Sequence, residues 1–434
     1  MSRSPYRAPF HRRILPWLSL AVFLALAPVV VFYTAGYRYN PKKSIVERNG
    51  TLILDSTPRG ATVLLDGRET GEKTPITLQN VAPGTHRIRL ERDGFYPWEK
   101  ELDVRAEQVT FANTIWMWRQ SEPQLYANGV FSRLMENQER SVVAIIEQND
   151  ATSSVRFLDE NGITQDAVLK KNLDTSALRL RWRDGGSELL VGGEGADANT
   201  WLVRTSPDIS ATPLPNGWYT WYEGALLGND GRATIRIVPR NSTTERVPLV
   251  PPIVATIGDL TLRTGSSSRE LLLADNRVAD RVLRLPIGRW IPMEEQRGRW
   301  FFSESNRWLA LGTADRQPIS SRAEGDWLRW DPDGNRSLLL SATEINLWDG
   351  QGSPDPIWRQ SDQLVNVLWH RSGQTLFLAT HNTVHALEMD ARGGRQVTTL
   401  ARFDEIRDLA ILGRMLLVSG RRGDVDGVWG VRVE

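Results

Sequence analysis

The chain has 434 residues, with 53 Lys and Arg against 52 Asp and Glu, long enough for two or three domains. It contains no cysteine, which excludes disulfides, thiolate metal sites and a cysteine nucleophile. No block of basic charge is present to serve a nucleic acid, and 17 Trp, 35 Gly and 23 Pro point to a turn-rich β protein with aromatic packing.

Residues 1–13 form a basic tail, and residues 14–35 run without a single charge. As a helix this run is ~33 Å long, against a hydrocarbon core of ~30 Å, so it is expected to be a transmembrane anchor in contact with the lipid bilayer. Trp17, Tyr33, Tyr37 and Tyr39 stand at its ends as interfacial aromatics do. A cleaved signal peptide has an apolar core of only ~7–15 residues. The one small-x-small site, Ala25-Leu26-Ala27, is followed by Pro28, which is expected to block cleavage. Arg3, Arg7, Arg12 and Arg13 precede the run; Arg38, Lys42, Lys43 and Arg48 follow it. The two counts tie, but the first group is closer and undiluted by acid, so the N-terminus is expected inside and the remaining domains outside the cytoplasmic membrane. Five of the 53 basic residues precede Asn40 and no acidic one does, which leaves 48 against 52 beyond it, a slightly acidic surface.

After a linker over 36–49 the hydrophobic period changes to two. Residues 51–54 and 62–65 read as strands, Asp66-Gly67 as a tight turn, and 85–91 as an alternating strand with His86, Ile88 and Leu90 on one face. His86 on that face is expected to be a packed or hydrogen-bonded core residue. A second turn at Gly94 leads to Phe95, Tyr96 and Trp98. This describes a compact antiparallel β unit over 50–119. The order of its pieces resembles the PEGA domain family. Pro58-Arg59-Gly60-Ala61 occupies the Pro-Glu-Gly-Ala turn, with Arg in place of Glu; then follow Asp66-Gly67, Gly71, Thr74-Pro75, Gly84-Thr85-His86 and an aromatic after Gly94. The resemblance implies a bacterial or archaeal surface protein with this domain on the outer face.

Residues 120–434 repeat an apolar strand, a polar turn and a second strand. Taking starts at Val142, Leu189, Leu226, Leu271, Leu309, Leu338, Leu376 and Leu416, the mean step is about 39 residues, close to the ~40–45 of a four-stranded propeller blade. A turn recurs at Trp182-Arg183-Asp184-Gly185, Trp330-Asp331-Pro332-Asp333-Gly334 and Trp369-His370-Arg371-Ser372-Gly373. It resembles the Trp-x-x-Asp-Gly turn of TolB-like and WD-repeat β-propellers. The fold class is therefore expected to be all-β: a transmembrane helix, a PEGA-type domain and a propeller of seven blades, with eight as the alternative. The Trp residues are expected to pack between blades. Trp218, Tyr219, Trp221 and Tyr222 form the dense aromatic cluster to search first for ligand stacking.

No catalytic, cofactor-binding or metal-binding residues are assigned. His381 and His385 have helical metal-pair spacing, but Asn382-Thr383 between strand-like runs makes a hairpin there. Asp331 to Asn335 lacks the later ligands of a calcium loop. There is no Gly-x-Ser-x-Gly elbow, phosphate loop or dinucleotide fingerprint. The expected function is a non-catalytic scaffold at the cell envelope that binds protein or polysaccharide through one propeller face. The alternatives are a propeller enzyme acting on extracellular glycan or peptide, which requires acidic or His side chains converging on the central channel, and a structural spacer in envelope assembly.

Overall fold

The computed structural model describes residues 10–34, 37–40, 45–137, 140–148, 152–170, 178–183, 186–193, 199–205, 208–216, 218–222, 225–229, 234–238, 243–247, 253–257, 260–264, 270–275, 278–284, 291–296, 299–304, 306–314 and 317–434. The chain divides into two compact units: Met1–Trp118 with Asp390–Gln396, and Arg119–Met389 with Val397–Glu434.

In the first unit, helix α1 (Phe10–Thr34) carries Pro16 and Pro28 in its interior, and Ser19 Oγ donates to the Pro16 carbonyl at 2.9 Å. Trp17, Phe23 and Val29 are exposed apolar side chains on it. Among the described residues no helix is long and apolar enough to cross a membrane. The described side chains of α1 begin at Pro16, so part of the expected 14–35 span lies outside them. Strands β1 (Tyr37–Asn40) and β2 (Ile45–Arg48) pair antiparallel within the stretch read as a linker.

Seven further strands follow: β3 (Gly50–Thr57), β4 (Thr62–Leu65), β5 (Arg68–Lys73), β6 (Ile76–Val81), β7 (Gly84–Glu91), β8 (Trp98–Val104) and β9 (Val109–Trp116). They form two sheets, ordered β6-β3-β9 and β5-β4-β7-β8. The expected all-antiparallel arrangement needs correcting, because β3 pairs with β9 in parallel, from Thr51↔Val109 to Thr57↔Trp116. A parallel partner far along the chain leaves no mark on the local alternation from which strands are read. The core is built by the inward side of that alternation: Leu52 and Leu54 from β3, Ile88 and Leu90 from β7, Trp98, Leu102 and Val104 from β8. Burying each of the aliphatic side chains is worth roughly 1.5–3 kcal/mol. Lys100 also lies on the inward side of β8; its buried Nζ donates to the Asp390 carbonyl at 2.7 Å within the same unit.

The second unit is a ring of four-stranded antiparallel sheets. In chain order blades 1 to 7 span 131–170, 179–214, 218–247, 253–284, 291–324, 327–359 and 364–402. Blade 8 joins Glu405–Leu412, Met415–Arg422 and Val425–Arg432 to Gln124–Asn128, the first strand of the unit. Among the described residues there are thus eight blades, the alternative rather than the favoured count of seven. The apolar triplets read as blade starts are interior strands: second strands at Leu189, Leu338 and Leu376, but third strands at Leu271 and Leu309. Interior strands are covered by neighbouring sheets on both faces, which is why they are the most apolar. First strands of adjacent blades contact one another around the ring, as in blades 7 and 8, 8 and 1, and 1 and 2.

Candidate functional site

The PEGA-type residues form a hydrogen-bond system that holds turns. Thr74, almost fully buried, accepts the Ala61 N–H on Oγ1 at 3.0 Å and shares a hydrogen with Ser56 Oγ at 2.6 Å. Its backbone exchanges two bonds with the same turn: Gly60 N donates to Thr74 O at 2.8 Å, and Thr74 N to Ala61 O at 2.9 Å. Pro58 and Pro75, which flank this system, both follow cis peptide bonds. Asp66 (φ 51°) and Gly67 (φ 78°) make the two-residue turn between β4 and β5, a connection that requires positive φ at both positions. The Asp66 carboxylate accepts Arg87 N at 3.0 Å and bonds His86 Nδ1 at 2.8 Å, while His86 Nε2 bonds the Ala82 carbonyl at 2.7 Å. Gly84 (φ 144°) opens β7 and Gly94 (φ 77°) follows it. A groove here is lined by Arg59, Lys73, Arg89 and Arg92 alternating with Glu69, Glu91 and Asp93. Arg89 is bonded to Glu91 and Glu99, and those bonds raise its pKa. The mixed signs give the groove no single-charge field.

The Trp turns of the ring have a common geometry. Trp182 Nε1 donates to Met135 O of the preceding blade at 3.2 Å, and Trp369 Nε1 to Arg329 O of the preceding blade at 3.4 Å. Trp330 packs edge-on to Phe301 of blade 5 at 5.1 Å. Four residues after each Trp stands a glycine in left-handed conformation: Gly186 (φ 63°), Gly334 (φ 64°) and Gly373 (φ 63°). Each donates its N–H over 2.9 Å to the carbonyl of the residue following the Trp, namely Arg183, Asp331 and His370. The repeat glycine of blade 2 is therefore Gly186; Gly185 and Asp184 lie outside the described residues. The acid that fixes the blade 6 turn is the buried Asp331, not the exposed Asp333. Its Oδ1 accepts Asn335 N and Arg336 N at 2.6 and 3.1 Å, and its Oδ2 accepts Arg336 Nε at 3.0 Å. Arg336 in turn donates to Gly373 O and lies 4.9 Å over the Trp369 ring, joining blade 6 to blade 7.

Of the aromatic cluster, Tyr219 is buried and its hydroxyl donates to Pro215 O at 2.7 Å, so it offers no open face. Trp218, Trp221 and Tyr222 share its strand, Trp218–Tyr222, and their side chains lie outside the described ones. His381 occupies the two-residue hairpin loop after Thr375–Thr380. His385 spends its ring nitrogens on Thr383 at 2.8 Å and Thr399 at 3.1 Å, and burial together with Arg402 lowers its pKa. Buried His370 bonds Ser372 and Glu434.

The channel of the ring was expected only as the place where an enzyme's acidic or His side chains would converge, and its lining residues are the ones that reading by motif missed. A cavity of about 380 Å³ is lined by the first strands or turns of blades 1, 2, 6, 7 and 8. An arc of hydrogen bonds crosses four blades at its wall. Arg329 Nη2 (blade 6) donates to Asn366 Oδ1 (blade 7) at 2.9 Å. Asn366 Nδ2 donates to Asp408 Oδ1 (blade 8), and Asp408 Oδ2 accepts Leu134 N (blade 1) at 2.9 Å. In blades 1, 7 and 8 the ladder slips just before the residue concerned, between Phe131 and Arg133, Leu364 and Asn366, and Ile406 and Asp408. Such bulges re-aim a side chain, and here each precedes a polar residue of the channel wall.

Among the described residues five charged side chains line the cavity: Arg133, Arg179 and Arg329 against Glu136 and Asp408. Asp408 is 3% exposed, and burial raises its pKa against the opposing bonds from Leu134 and Leu409 N–H. Glu136 pairs with Val143 in its ladder as Trp182 pairs with Leu189 and Trp369 with Leu376, so a carboxyl holds in blade 1 the position that blades 2 and 7 give to tryptophan. Burial raises its pKa; Arg329 opposes this and Asp408 adds to it.

Residues 49–115 match the PEGA domain family. No curated protein matches the chain by sequence. Among solved structures the chain is similar to BamB from Moraxella catarrhalis, at 11% identity and a TM-score of 0.39, over 72% of this chain and 99% of that one. It is also similar to a catalytically inactive virginiamycin B lyase from Staphylococcus aureus, at 12% and 0.36, over 60% and 95%. The dihydro-heme d1 dehydrogenase NirN gives 14% and 0.41, over 62% and 66%. All three scores lie below 0.5, and the propeller architecture here rests on its own sheet order.

Proposed function

We propose that this chain is a single-pass cell-envelope protein, held in the cytoplasmic membrane by residues 14–35 with its N-terminus inside, that displays the PEGA domain and the propeller outside as a non-catalytic binding scaffold for protein or polysaccharide. The observation that carries this reading is the channel. Side chains from five blades converge on one cavity, and its wall is fixed by the Arg329–Asn366–Asp408–Leu134 arc. A rigid wall with mixed polar groups suits recognition, because little ordering cost is left to binding. The uncharged run of 14–35 and the exposed apolar side chains of α1 support the anchor.

One observation favours the enzymatic alternative: two carboxyls with raised pKa, Glu136 and Asp408, share the channel. Carboxylate chemistry on glycosidic bonds needs two carboxyls that can reach substrate. Asp408 is 3% exposed, and its oxygens accept Leu134 N, Leu409 N and Asn366 Nδ2. Its role is to fasten blades 7, 8 and 1, and the scaffold reading stands above the enzyme.

Protease treatment of sealed cells, followed by blotting for the propeller, tests the placement. Loss of the propeller from intact cells is expected once any outer barrier is opened. Protection that persists until the cytoplasmic membrane itself is broken would place the propeller inside and overturn the reading.

A further inference from the structure

We infer that the channel of the ring is an anion site, taking a carboxylate or phosphate group on a ligand about as large as one sugar unit, with Arg329 as its main contact and Arg133 and Arg179 completing the wall. This deepens the scaffold reading of the propeller and rests on it for biological sense.

The first argument is charge. Among the described residues three guanidinium groups face two carboxyls around the cavity. Asp408 accepts three bonds from within the wall, from Leu134, Leu409 and Asn366, which hold its carboxyl against the wall. Burial raises the Glu136 pKa, with Arg329 opposing, which weakens its opposition to an anion. Among the described residues the wall thus carries one more guanidinium than carboxyl, although the chain beyond Asn40 is slightly acidic.

The second argument is geometry. Arg329 is held by Asn366 through Nη2 at 2.9 Å, and Asn366 is held by Asp408. A guanidinium fixed at one edge keeps its planar fork aligned for an oxyanion, the acceptor that guanidinium matches best. The volume, about 380 Å³, lies at the lower end of the range for small-molecule sites, about 300–1,000 Å³, and admits a small ligand or one residue of a polymer. Of the indoles that border the cavity, Trp330 and Trp369 are committed to neighbouring blades and Trp327 packs against the core of blades 6 and 7, so charge is the main recognition available.

The test is calorimetric titration of the full chain, reconstituted in lipid nanodiscs, with glucuronate, inorganic phosphate and glucose as probes. Saturable binding of glucuronate or phosphate with no binding of glucose is expected, weakening as sodium chloride is raised. A preference between the two anions identifies the source of the charge. Arg329→Gln is expected to weaken binding about tenfold or more, the loss of one charge-assisted pair. Because Arg329 also braces the wall, Arg179→Gln serves as the second variant; Arg179 is exposed and stands outside the arc, and the same direction is expected. No saturable anion binding, equal binding of glucose, or affinity unchanged in both variants would overturn the inference. These outcomes are independent of the protease experiment. A propeller found outside but blind to anions keeps the scaffold and loses the site, whereas anion binding by an inward-facing propeller keeps the site and loses the display.

Discussion

Replacing Asp331 by alanine should loosen the junction between blades 6 and 7. Its carboxylate, with a side chain 3% exposed, accepts Asn335 N, Arg336 N and Arg336 Nε. Asn335 is exposed and Arg336 half-buried, so water can replace part of what is lost, and each backbone bond counts for about 1 kcal/mol. The Arg336 side chain is 38% exposed, which keeps the ion pair near about 1 kcal/mol as well. The total is about 3 kcal/mol for Asp331→Ala. Asp331→Asn retains Oδ1 for both backbone donors and loses the charge and the Oδ2 acceptor of Arg336 Nε, about 1 kcal/mol. Because Arg336 also reaches Gly373 O and the Trp369 ring, Arg336→Met should be partly redundant with Asp331→Ala, with a coupling of about 1 kcal/mol in a double-mutant cycle. Urea unfolding followed by tryptophan fluorescence gives the shift in midpoint at constant slope. Amide exchange across 327–340 and 369–376 reports whether the opening is local to the junction. Equal effects of Ala and Asn, or a loss below about 0.5 kcal/mol for Ala, would refute the assignment of Asp331 as the turn's anchor.

Three further outcomes are expected. Glu136 has its folded pKa raised by burial, with Arg329 opposing and Asp408 adding, so its stabilising contribution is complete below its ordinary value of 4.5 and is lost as pH rises through the raised one. Glu136→Gln should therefore exceed the wild type in urea midpoint at pH 8 and match it near pH 4; a difference that is the same at both would count against a raised pKa. Thr74→Val, which removes the acceptor of Ala61 N and the partner of Ser56 Oγ, should destabilise the first unit by about 1–3 kcal/mol, with Thr74→Ser close to wild type, read from exchange of the 58–62 amides. Gly373→Ala places a side chain at φ 63° with its Cβ 3.0 Å from Arg336 Nη2, and should cost about 1–2 kcal/mol in the same urea assay, whereas an effect near zero would mean that the turn relaxes freely.

The β character and the repeat length of the chain were legible because alternation and turn residues are local signals. The Trp turns were legible for the same reason, and the indoles do reach the preceding blade at Met135 and Arg329. What escaped was pairing and register. The parallel partnership of β3 and β9, the Gln124–Asn128 strand that completes blade 8, and the strand order that places Leu271 and Leu309 third in their blades all depend on residues far apart in sequence. The channel's lining residues were missed for a related reason. Arg133, Asn366 and Asp408 are single polar residues in otherwise ordinary strands, and only the bulge before each of them sets it in the wall. The signal available was a polar residue two or three places into the strand before each apolar triplet, a pattern that gains meaning only once the blades are superposed. Asp331 was passed over for Asp333 because the motif was aligned on its Asp-Gly pair, whereas the buried acceptor directly follows the Trp.

The closing strand has a mechanical side. The second unit begins next to its own end: Arg119 N donates to Val433 O at 2.9 Å, Ser121 Oγ to Arg432 O at 2.8 Å, and Gln124–Asn128 is laddered to Val425–Arg432. The backbone coming from the N-terminal side enters the second unit through this strand, which is also the clasp that completes its last sheet. For a protein tethered at its N-terminus, the same short ladder would bear the load and keep the circle shut. Tension sufficient to peel it would leave the edge of 425–432 bare and open the ring at this seam.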